Sequence, residues 1–166
     1  MIEKPKNIRI ATYGDEDKLF KFIEAGHSES ALYPMSPYKV NQYIDEAIAR
    51  TRPIIIGIID SPTKNEIAAS MCIVYEQLWY TDEWHLAELW NNVRPDYRKT
   101  NYAKDLIQFG KWVSDTAAKA LNIGIVTTER MEAKIRMYRR QRLQQTGAYF
   151  IYNIDMAHGP AAKEMI

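Results

Sequence analysis

The residues with the most chemical content run from Glu88 to Ala103: Glu88-Leu89-Trp90-Asn91-Asn92-Val93-Arg94-Pro95-Asp96-Tyr97-Arg98-Lys99-Thr100-Asn101-Tyr102-Ala103. A strand-like stretch enters a proline-marked turn, and a helix then begins among small or polar residues. The first turn of a helix leaves backbone N–H groups unpaired and carries partial positive charge. Such an end suits a phosphate or pyrophosphate, and Arg98 and Lys99 add charge beside it. The plainer reading is a surface turn with basic residues. Glu88 stands in an otherwise apolar stretch, Leu86 to Trp90, where partial burial would raise its pKa. On the other phase of the period-two alternation it faces solvent.

Other residues stand out by type. Met131, Ile135 and Tyr138 recur at helical spacing, which turns the Tyr138 phenol inward. The same helix bears Lys134, Arg136, Arg139, Arg140 and Arg142, with Arg130 upstream, and reads first as a solvated charged face. His27, Glu29, Tyr33 and Tyr38 lie in or near a loop between two helices. Trp79, Tyr80, Trp84 and Trp90 crowd one hairpin; core packing is the default, and a dimer face or an aromatic pocket the sharper alternative. Cys72, the only cysteine, lies in an apolar run and reads as a buried thiol with no base beside it.

These residues are positioned by an alternation of strands and helices. Asn7 to Thr12 reads as a strand, with Asp15 as N-cap of a helix reaching about Ala25. Gly26 to Ser30 reads as a loop, prolonged to Pro37, and Ser36-Pro37 opens a second helix to about Arg50. Pro53 to Asp60, Glu66 to Trp79 and Trp84 to Val93 read as three antiparallel-type strands. A long helix follows to about Leu121, then a strand from Asn122 to Thr128, a helix to about Leu143 and a last strand from Gly147 to Ile154. The tail from Asp155 is weakly patterned. The expectation is one α/β domain over residues 1–166: a mixed, mostly antiparallel sheet flanked by about four helices.

Composition narrows the classes. The chain has 166 residues, 46% hydrophobic and 26% charged, which is ordinary globular usage. Lys+Arg of 22 against Asp+Glu of 21 gives a net charge of +1, so binding of nucleic acid through whole-molecule charge is not favoured, while a local basic face stays open. One Cys and three scattered His do not make a structural zinc site, so no metal is expected. The N-terminus has no apolar leader-like stretch, and no run is long enough for a membrane span. The expectation is a protein of a cytoplasmic, reducing compartment.

The strand-turn-helix resembles the acetyl-CoA signature of the GNAT N-acetyltransferase superfamily: Arg or Gln, two residues, Gly, one residue, then Gly or Ala. Here it stands as Arg98-Lys99-Thr100-Asn101-Tyr102-Ala103, preceded by Val93-Arg94-Pro95-Asp96-Tyr97, similar to the approach seen there. The element order fits over nearly the whole chain. Glu88-Leu89-Trp90 and Gly26-His27-Ser28-Glu29-Ser30 are similar to small bacterial and phage-borne members. Asn101 departs from the signature glycine, which serves there through close approach and permissive dihedrals.

The resemblance implies acetyl-CoA as cofactor and direct acetyl transfer to a small-molecule or peptide amine in a ternary complex. Backbone amides from about Arg98 to Ala103 would hold the pyrophosphate, and amides near Val93 would polarise the thioester. Glu88 would be the base and Tyr138 the acid, with His85 and Glu83 as weaker bases. His27, Glu29 and Tyr33 would select the acceptor. Tyr138 is out of step with the family spacing, because Leu143 is the residue four before Gly147. The basic helix becomes a clamp for the CoA 3′-phosphate or a face for an acidic partner, nucleic acid included. An inactive CoA-binding module and a homodimer remain open.

Overall fold

The computed structural model describes residues 2–30, 33–125, 131–148 and 150, with backbone alone at 29 and 30. Five strands form one sheet in the order β1 (Arg9–Ile10), β2 (Ile54–Asp60), β3 (Ile67–Gln77), β4 (Trp84–Val93) and β5 (Leu121–Asn122). The first three pairings are antiparallel, and β4 pairs with β5 in parallel. Helices α1 (Glu16–Ser30) and α2 (Pro37–Ala49) lie between β1 and β2 in the chain, α3 (Tyr102–Ala117) joins β4 to β5, and α4 (Met131–Arg140) follows β5. This is the mixed, mostly antiparallel α/β sheet with four helices expected from the sequence.

The sheet is buried on both faces, which is why β2 and β3 read as continuous apolar runs. On one face Ile56, Ile58, Cys72 and Val74 pack with Leu19, Phe22, Ile44 and Ile48 of α1 and α2. On the other, Ile59, Met71, Ile73 and Leu86 pack with Leu106, Phe109 and Val113 of α3. Gly57 lets the α3 helix approach: a Cβ there would stand 2.7 Å from the Phe109 ring. Ser36 caps α2 as expected, accepting the Lys39 N–H, with Pro37 at the first turn.

Several expectations need correction. The α1 helix does not end near Ala25; it runs through Gly26 and His27 to Ser30. The glycine is there for contact rather than a turn, since its missing Cβ would fall 1.8 Å from Asn92 Nδ2 on β4. Asp15 does stand at the expected N-cap position, its carbonyl accepting the Leu19 N–H at 2.8 Å, but its carboxylate turns back to accept the Thr12 N–H at 2.9 Å and pair with Arg9 at 2.7 Å. The α3 helix stops at Ala117, closed by Ala118 in the left-handed region (φ 50°), and α4 stops at Arg140. The strand expected over 122–128 is paired only at Leu121–Asn122, and residues 126–128 lie outside the described residues. Most of the last strand expected over 147–154, the tail and Arg130 also lie outside them.

Of the aromatic hairpin, Trp90 packs against the core as expected and Trp84 stacks on Tyr75, but the tip is not core. Trp79 is 94% exposed and Tyr80 67%. The register explains it: β2 reaches only Val74 of β3 and β5 begins at Leu86, so no layer covers the 78–83 turn. Among the described residues no helix is long and apolar enough to cross a membrane, and no cluster of His, Cys, Asp and Glu could hold a metal ion.

Candidate active site at the parting of two strands

The β3–β4 pairing slips between Cys72 and Ile73: Cys72 faces Trp90 while Ile73 faces Glu88, leaving Leu89 as the extra residue of a β-bulge. The bulge changes which N–H groups face which neighbour. Before it, Leu86 donates to Ala120 O at 2.8 Å, toward β5; after it, Arg94 donates to Ala68 O at 3.0 Å, toward β3. By alternation the Asn91 and Val93 N–H groups then point away from β3. The β4–β5 ladder covers Leu86–Leu121 and Ala87–Asn122, the whole of β5, and among the described residues the chain beyond Asn122 parts from the β4 ladder.

Glu88 stands at the point of parting. One carboxylate oxygen accepts the Gly124 N–H at 3.1 Å, bridging from β4 to the chain beyond β5. Burial pushes its pKa up to about 7, against the opposing pull of the Gly124 N–H and the Lys134 charge. Tyr138 comes to the same place from α4. Its phenol accepts a hydrogen bond from Asn91 Nδ2 at 3.3 Å. Burial, then the nearby Glu88 charge, raises the Tyr138 pKa, while the Asn91 bond opposes them. Lys134 and Tyr138 are four residues apart, hence on one face of α4. Two residues far apart in sequence and selected separately thus meet. Beyond α4 the chain turns at Arg142, which stands at φ 61°.

The helix N-terminus is organised by a short 3-10 turn, Pro95–Tyr97. Tyr97 is buried and its hydroxyl lies 2.6 Å from Ser61 Oγ, tying the turn to the end of β2. Arg98 folds back, its Nε donating to Val93 O at 3.2 Å. Arg98 and Thr100 N–H donate within the turn, and Tyr102 N–H donates to Thr100 Oγ1 at 3.2 Å. The first-turn N–H groups of Ala103 and Lys104 have no partner inside the helix. Lys99, Thr100 and Asn101 are exposed. Asn101 has φ −84° and ψ 5°, open to any L-residue, so glycine's dihedral freedom is not required there.

The remaining residues divide. Gly26 against Asn92 brings the end of α1 to the end of β4, and with it His27, whose Nε2 lies 2.9 Å from Tyr33 O. The Glu29 side chain lies outside what is described, and Tyr33 is 57% exposed. His85 is buried 3.8 Å from Glu76 toward the other end of β4, and Glu83 lies in the turn before that strand. Burial, then the Glu88 charge, pushes the Cys72 thiol well up, which fits an inert core residue.

Sequence reasoning missed Asn91, Asn92, Gly124 and the site-facing role of Lys134. The adjacent asparagines in a strand otherwise built to be buried were the available signal. The bulge that aims them left none.

No protein-family model matches the sequence, and no curated protein matches it. Solved structures match across most of the chain. A Clostridium acetobutylicum predicted acetyltransferase with acetyl-CoA is 14% identical, with TM-score 0.68, covering 93% of this chain and 99% of that one. Glucosamine-6-phosphate N-acetyltransferase from Arabidopsis thaliana is 14% identical, with TM-score 0.65, covering 89% and 98%. AAC(6′)-Iy in complex with the bisubstrate analog CoA-S-monomethyl-acetylneamine is 12% identical, with TM-score 0.63, covering 88% and 95%. The strand order and these neighbours together establish that the chain has the fold of the GNAT acetyltransferases.

Proposed function

We propose that the protein is an acetyl-CoA-dependent N-acetyltransferase that moves an acetyl group to a primary amine by direct transfer. The observation that carries this reading is the meeting of Glu88, Asn91 and Tyr138 where β4 and β5 part. Acetyl-CoA would supply an acyl thioester, and the residues present fit it. Ala103 and Lys104 N–H groups and the Arg98 and Lys99 charges would hold the pyrophosphate. Lys104 replaces part of the expected set, because Arg98, Thr100 and Tyr102 N–H groups are committed within the turn.

An amine must be neutral to attack. Glu88, with a pKa of about 7, is suited to take its proton near neutral pH. The Asn91 N–H, aimed away from β3, is suited to the oxygen on which charge develops. The Val93 N–H, expected for this role, donates instead to Asn92 Oδ1 at 3.1 Å. Tyr138, with its pKa held high, keeps its proton until a sulfur leaving group needs it. Cys72 is buried, which supports transfer without a covalent enzyme intermediate. The neighbour named for glucosamine-6-phosphate and the one holding a bisubstrate analog support an amine acceptor and a ternary complex.

The test is a titration with acetyl-CoA beside the same titration on Arg98→Glu, followed by an amine screen read by thiol release. Saturable binding lost in the variant, with thiol release on an amine, is the expected result. Absence of binding at millimolar acetyl-CoA overturns the reading.

A further inference from the structure

The α4 helix has two faces with different surroundings. Lys134 and Tyr138 face the site, and Ile135 and Met137 are half-buried. Arg136, Arg139 and Arg140 project from the other side and are exposed, as is Arg142 just beyond. Among the described residues none of these four arginines has a carboxylate within ion-pair distance. The one bond of this kind is neutral, Arg139 to Gln145 Oε1 at 2.8 Å. Glu132 is the acidic residue sharing that face, one turn earlier. The positive strip continues onto α3. Gln108 bonds Gln141 at 3.0 Å and Lys111 donates to Gln141 O, which sets Arg142 close to Lys111. Burial, then the Arg142 charge, pushes the Lys111 pKa down, a like-charge contact the fold tolerates. Such crowding is relieved when an anion binds.

We infer that the outer face of α4, Arg136, Arg139, Arg140 and Arg142 continued by Lys111, is a docking surface for the phosphate backbone of nucleic acid. Three features choose this partner. Arginine forks match phosphate oxygens in pairs. A protein partner needs an apolar or aromatic anchor at the centre of its contact, and among the described residues this face of α4 presents none. An anionic membrane would need the apolar side of a basic helix, and on α4 that side is half-buried against the rest of the fold. The near-zero net charge does not oppose it, since the relevant field is local and decays within about 10 Å.

The test is fluorescence anisotropy of labelled 20-nucleotide single-stranded RNA and of a 20-base-pair DNA duplex, from 50 to 200 mM KCl. Binding to at least one probe is expected, with a log–log salt slope near −3. The Arg136→Gln/Arg139→Gln/Arg140→Gln variant should weaken it at least tenfold and flatten the slope, with melting temperature and acetyl-CoA titration unchanged. Binding that ignores salt, or that the variant retains, overturns the inference. So does capture by phosphatidylserine vesicles with no nucleic-acid binding. Loss of acetyl-CoA in the variant overturns it too, because the arginines would then belong to the cofactor. The inference stands apart from the acetyltransferase reading, since a protein inert toward acetyl-CoA could still pass every arm.

Discussion

At Glu88, two consequences of one burial can be measured separately. The carboxyl pKa is about 7 in the fold against 4.5 when exposed, so the folded chain holds the proton longer than the unfolded one. Its contribution to stability is therefore full below pH 4.5 and is lost as pH rises through 7, a change of at most about 3 kcal/mol. Glu88→Gln should remove that slope, melting above the parent at pH 8 and gaining nothing at pH 4. In the proposed reaction the same change should lower kcat/KM about a hundredfold or more and abolish its rise near pH 7. Thermal melts and a pH–rate profile check the two claims. Tyr138→Phe keeps the packing and removes the proton donor. It should lower kcat roughly tenfold to a hundredfold with KM for acetyl-CoA little changed, as steady-state kinetics would show.

Between elements, the contact of α1 with β4 is made by an absence. Gly26 has no Cβ, and Asn92 occupies the space while its Oδ1 accepts the Val93 N–H. Gly26→Ala would improve intrinsic helix propensity yet push the Asn92 amide aside. The expected net result is a loss of about 1 kcal/mol. Asn92→Ala in the same chain should make Gly26→Ala neutral or stabilising, a non-additivity that urea melts of the double-mutant cycle would detect. The bulge at Leu89 acts at the same scale. One extra residue reverses which β4 amides face β3.

Across the whole molecule, the position of the turn proposed to bind the pyrophosphate depends on how closely α3 lies on the sheet. Gly57 on β2 meets the Phe109 ring, and Tyr97 bonds Ser61 at the far end of the same strand. Gly57→Ala should overpack this contact, destabilise by roughly 1–3 kcal/mol and lower the melting temperature by several degrees. Because α3 carries Ala103 and Lys104 at its start, acetyl-CoA affinity should fall with it. A variant that melts lower but binds undiminished would show that the turn is held by Tyr97 alone.

What the sequence determined by itself was whatever depends on local pattern. Apolar periodicity placed the buried β2 and β3, Ser36-Pro37 placed the start of α2, and proline before a polar run placed the turn at the head of α3. The element order was enough to anticipate the sheet. Glu88 and Tyr138 were legible one at a time, each as a polar group on an apolar element. That both would serve one site came from the family resemblance and not from local pattern, because 50 residues of chain lie between them and only the fold brings Tyr138 to Asn91 beside Glu88. Gly26 was misread for a related reason: glycine breaks a helix in isolation, and only the side chain it faces shows that it admits a neighbour. Core packing holds for Trp90 but not for Trp79 and Tyr80, because aromatic residues signal burial while whether any layer covers them depends on how far the adjacent strands extend. The direction of the β4 amides and the lack, among the described residues, of a carboxylate beside the outer arginines of α4 likewise belong to the tertiary structure, since both are defined by what the fold does or does not bring to them.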